Sequence, residues 1–107
     1  MIAEDGTLQG YQVVHGRPPA FEGSDGRAYS AGVFSDDDPD AAGLYGASLL
    51  FIRWSKDQQP DGHLESEYLA HSRDAKLAEA EVGRMTLADV KHALDDLIAR
   101  RDMETRP

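Results

Sequence analysis

Three sets of residues have the types and spacing to do chemistry. Asp36, Asp38 and Asp40 occupy the first, third and fifth positions of a calcium-loop spacing, where carboxylates converge on one ion. The remainder of that pattern is missing, because Ala41 stands where the loop needs glycine and Ala47 where it needs a bidentate glutamate. Pro39 stiffens the segment further, so a solvated acidic loop with only weak divalent binding is expected.

His63, Glu65, Glu67 and His71 form the second set, spaced to project from one face of a single strand. Imidazole and carboxylate are competent ligands for zinc or a non-haem metal, but side chains two apart on a strand are parallel and about 7 Å from each other. Such a site needs a donor from elsewhere, and His15 is the obvious one. The third set is a Ser–His–Asp combination drawn from Ser30 or Ser48 with any histidine. No nucleophile elbow or other local signature accompanies it, so hydrolase chemistry is not indicated. The expectation is no catalytic residue and no cofactor, with the first two sets as weak metal-site candidates.

Composition narrows the field. The chain has 107 residues, 11 basic and 20 acidic side chains, and a formal net charge of −9. Phosphate backbones and anionic lipid are repelled by such a field, which counts against nucleic acid and membrane partners. Glycines at 23, 26, 32, 43 and 46 do not make a phosphate-binding loop. The absence of cysteine excludes disulfides, thiolate zinc sites and cysteine nucleophiles. The amino terminus lacks the basic flank and apolar core of a signal peptide, and no apolar run reaches the ~20 residues of a membrane span. A cytoplasmic protein is expected.

The elements that must position these residues follow from periodicity. Tyr11–His15 reads as a short strand ended by Gly16 and the Pro18-Pro19 pair. Gly23-Ser-Asp-Gly26 is a turn signal, and residues 27–34 form the second arm of a hairpin, with Tyr29, Ala31 and Val33 on one face. The run from Leu44 to Trp54 is apolar on both alternating faces and reads as a central buried strand. Residues 63–71 form another strand, with Leu64, Ser66, Tyr68 and Ala70 facing inward.

After His71 the period changes to about 3.6. Residues 74–82 read as a short helix with Gly83 as its C′ residue, and the terminal helix begins at Thr86, an N-cap with Asp89 three residues on. Leu87, Val90, Leu94, Leu97 and Ile98 form its apolar stripe. Two helices separated by a turn suggest a DNA reader, but Asp89, Asp95 and Asp96 sit where contacts to phosphate need cations.

The expected fold is α+β: one domain over residues 1–107, with 1–9 and 102–107 frayed. A four- or five-stranded antiparallel meander carries the terminal helix, and the short helix before it, on one face. Leu50, Ile52 and Trp54 then face the other side, where a second copy packing sheet against sheet would make a homodimer. A non-enzymatic interaction module with a protein partner is the leading expectation, and the charge favours a basic one. The alternative is a small metal- or ligand-binding domain or enzyme built on His63, Glu65 and Glu67.

Overall fold

A long strand that is apolar on both faces needs neighbours along both edges. The computed structural model, which describes residues 6–104, supplies them. In chain order its elements are α1 (Leu8–His15), β1 (Ala20–Glu22), β2 (Ala28–Ser35), β3 (Tyr45–Trp54), β4 (Pro60–Glu65), β5 (Ala70–Ser72), α2 (Ala75–Gly83) and α3 (Leu87–Glu104). The five strands form one antiparallel sheet in the order β1-β2-β3-β4, and β5 pairs with β3. On one side β3 is paired by β2 from Ala47 to Trp54. Its other side is shared, with β5 on residues 45–47 and β4 on residues 50–54.

Register divides the sheet into two faces. Tyr29, Ala31, Val33, Ala47, Leu49, Phe51, Leu64 and Ala70 lie on the inner face, since Ala31 is opposite Phe51, Val33 opposite Leu49 and Leu64 opposite Phe51. There they pack with Leu8 of α1, Ala78 and Val82 of α2, and Val90, Leu94 and Ile98 of α3 into a single core. All three helices therefore lie on the same side of the sheet. Among the described residues no helix is long and apolar enough to cross a membrane.

Thr86 caps α3 as expected, its Oγ1 accepting from the Asp89 amide at 3.0 Å. The helix continues through Glu104, so residues 102–104 are helical and not frayed; residues 105–107 lie outside the described residues. The loop hairpin at Gly23–Gly26 and the acidic segment between β2 and β3 also fall where the residues predict.

Four further expectations about the elements are corrected. Tyr11–His15 is not a strand but part of α1, because Thr7 caps a helix through Oγ1 to the Gly10 amide and Gly16 closes it in the left-handed conformation at φ 67°. Residues 6–9 are not frayed: Leu8 is 1% exposed, and the Leu8 amide bonds the Met85 carbonyl at 3.0 Å while the Leu87 amide bonds Gly6. Residues 1–5 lie outside the described residues. Gly83 is the last residue of α2 rather than a left-handed C′ residue, and its lack of a side chain serves close approach, since a Cβ there would stand 2.9 Å from Cβ of Gln9. Residues 63–71 are two strands and not one, because the Ser66 Oγ takes the Leu49 amide in place of a ladder carbonyl and the backbone leaves regular pairing between β4 and β5.

Candidate protein-binding face

The chemistry-bearing residues singled out by spacing are not assembled into one centre. Asp36 accepts the Tyr68 hydroxyl at 2.7 Å, whereas the Asp40 carboxylate turns to the Ala42 and Leu44 amides of its own loop. Leu44 and Ala42 hold the Asp40 carboxyl below the ordinary carboxylate value. Asp38 is exposed between them. His63 and Glu65 share the outer face of β4, opposite Ile52 and Leu50. Glu67 lies in the irregular segment after β4, His71 is on β5 opposite Gly46, and His15 ends α1. Among the described residues no group of three or more histidine or carboxylate side chains is placed to hold one metal ion. Ser48 is fully buried on the outer face and donates to Glu65 at 3.3 Å, not to a histidine, while Ser30 accepts from the Trp54 indole at 3.0 Å.

Among the described residues no helix covers the other face of the sheet. Strand pairing puts Leu50, Ile52 and Trp54 of β3 there in a row, flanked on β2 by the small residues Ala28, Ser30 and Gly32 and by Phe34. A side chain at Gly32 would meet nothing within 4 Å, so a shallow open trough runs beside the apolar row. Phe34 is 45% exposed, and Leu50, Ile52 and Trp54 are half-buried by their neighbours in the sheet alone.

Tyr68 completes this face and corrects the inward orientation expected of it. The break between β4 and β5 shifts the phase of the alternation, and the ring swings over Gly46, where an added Cβ would come within 2.6 Å of it. Tyr68 remains 49% exposed and meets His71 edge to face at 5.4 Å. Glycine inside an otherwise apolar central strand is the sequence signal for such an approach. Leu69 lines a hollow with Met85 and Leu97 on the helical side.

Formal charge at the outward strand positions of this face has one sign. Glu22 and Glu65 occupy outward strand positions, Asp36 lies at the Tyr68 end, and no outward strand position is Lys or Arg. At the Trp54 end Arg27 and Arg53 are both engaged by Asp61, Arg53 Nε at 2.8 Å, and Lys56 lines a hollow beside Trp54 with Arg27 and Gln58. On the opposite, helical side, Asp25 anchors α3 to the first hairpin. It accepts the Tyr29 hydroxyl at 2.7 Å and the Arg101 guanidinium at 3.2 Å. Burial pushes the Asp25 carboxyl up, but the Arg27 amide, Tyr29 and Arg101 outweigh it and leave its pKa below the usual value.

Comparison of the chain with models of protein families, with curated proteins and with solved structures gives no match.

Proposed function

We propose that this domain is a non-enzymatic protein-binding module whose uncovered sheet face seats a basic partner protein. The observation that carries the reading is the placement of all three helices on one side, which leaves Leu50, Ile52, Trp54, Phe34 and Tyr68 without cover. A large apolar side chain left in water forgoes about 1.5–3 kcal/mol of burial, and a contiguous row of them rimmed by polar groups is the usual mark of an interaction surface. The rim supplies the selectivity. Glu22, Glu65 and Asp36, within a chain of net charge −9, attract a partner carrying Lys and Arg around an apolar centre.

A second reading rests on the same row. A sheet face that is apolar along the length of β3 is self-complementary under a twofold axis, so a second copy is the alternative occupant. Like charges at Glu22 and Glu65 oppose it and favour the basic partner.

Cross-linking of the tagged protein in its native cells tests both. The expected result is a captured protein of basic isoelectric point that is lost with Ile52→Asp, a variant whose circular dichroism matches the parent. Capture that survives Ile52→Asp would refute this face as the docking surface. Light scattering at micromolar concentration that gives twice 11.7 kDa for the parent, and one copy for Ile52→Asp, would assign the face to self-association instead.

A further inference from the structure

The edge of β2 is paired for only part of its length. β1 covers Ala28 to Ser30, and the last contact is the Ala31 amide donating to the Pro19 carbonyl at 3.0 Å. Pro19 has no N–H to return to the Ala31 carbonyl, and Pro18 has none either, so the incoming chain cannot extend the ladder. It turns away instead through the left-handed Gly16 into α1. Even-numbered residues of β2 bond to β3, as the Asp36 amide does to Gly46 beyond its end. The odd-numbered ones therefore direct their amides outward. The Ala31 carbonyl, both backbone groups of Val33 and the Ser35 amide have no backbone partner among the described residues.

A cleft of about 510 Å³ lies against this same stretch. Its floor is the buried Leu8 with Val33 and Ala80, and its walls are Gln9 and Gln12 of α1 facing Lys76 and Glu79 of α2. β4 also has a free edge, but the nearest hollow there, beside Ser66 and Leu69, holds only about 150 Å³.

We infer that the open half of β2 is a second binding site, which takes an extended peptide segment of a partner protein as an added strand along Ala31–Ser35. Main-chain pairing supplies up to four hydrogen bonds from the groups left open. Residues directly opposite in an antiparallel pair project to the same face, so the peptide residue facing Val33 points inward to the cleft. Leu8, Val33 and Ala80 select a bulky apolar side chain at that position. Lys76 and Glu79 carry opposite charges, so neither sign of charge is preferred in the flanking residues. This site lies on a strand edge beside the helices, away from the trough of the outer face, and adds to the reading above.

A phage-displayed library of random twelve-residue peptides, panned on the full chain, tests the inference. The selected peptides should share one apolar residue and slow amide hydrogen exchange at Val33 and Ser35. Val33→Pro removes the donor while sparing β3 pairing and should weaken them about tenfold or more. Ala80→Phe fills the cleft from an α2 position without touching the edge, and it should do the same, whereas Ile52→Asp should leave binding unchanged. If Val33→Pro disturbs the fold, Ala80→Phe decides. A library that yields no binder, or binders that ignore Ala80→Phe and leave Val33 and Ser35 exchange unaltered, would overturn the inference.

Discussion

Phe51 and Ile52 are adjacent in β3 and face opposite sides of the sheet, so truncating each in turn measures how differently the two sides are packed. Phe51 is 0% exposed and lies against the helices, and Phe51→Ala should cost about 3–5 kcal/mol through lost burial and the cavity left behind. Ile52 is half-buried by neighbouring strands alone. Ile52→Thr keeps the β-branch and exchanges the ethyl arm for a hydroxyl that water reaches at this partly wet site, and it should cost about 1 kcal/mol. Urea unfolding at pH 7 gives both values, provided the slope with denaturant is the same for parent and variants. A cost for Ile52→Thr approaching that of Phe51→Ala would show the outer face to be covered in solution. In that event a midpoint that rises with protein concentration in the parent alone would identify a second copy as the cover.

Two further outcomes follow from contacts at the ends of α3. Thr86→Ala removes the side-chain oxygen that accepts the Asp89 amide and should lower stability by about 0.5–2 kcal/mol, so identical urea midpoints would remove Thr86 from the cap. At the other end, the folded pKa of Asp25 lies below its ordinary 3.8. Its contribution is therefore present in full above about pH 5 and is lost as pH falls through the folded value. The stability gap between the parent and Asp25→Asn should be widest at pH 6 and narrow towards pH 3, and a gap that widens in acid would refute the assignment.

Local chemistry decided which elements could be read from residues alone. The Gly23–Gly26 turn, the alternation along β2 and β3, and the Thr86 cap are each specified within a few residues, and the structure has them in place. α1 was hidden because Val13 and Val14 favour strands, and the deciding groups, Thr7 and Gly16, stand outside the apolar run. The break between β4 and β5 was hidden for a different reason. A serine side chain replaces a backbone acceptor there, and nothing in the alternation of Leu64 to Ala70 announces the substitution. For the candidate face, the row of Leu50, Ile52 and Trp54 was legible as outward-facing. That every helix lies on the other side was not, because it depends on contacts between residues distant in the chain, such as Leu8 with the start of α3.

That last contact orders events during synthesis. Leu8 is translated well before its anchor, because the carbonyl that receives its amide belongs to Met85, and Thr7 forms its bridge with Thr86. At about 5–20 residues per second, roughly 4–15 s pass before the anchor for α1 has been made. α1 thus cannot dock until the chain has been made as far as the cap of α3. Throughout that interval Leu8, which the finished fold buries completely, is apolar surface open to any factor that handles nascent chains.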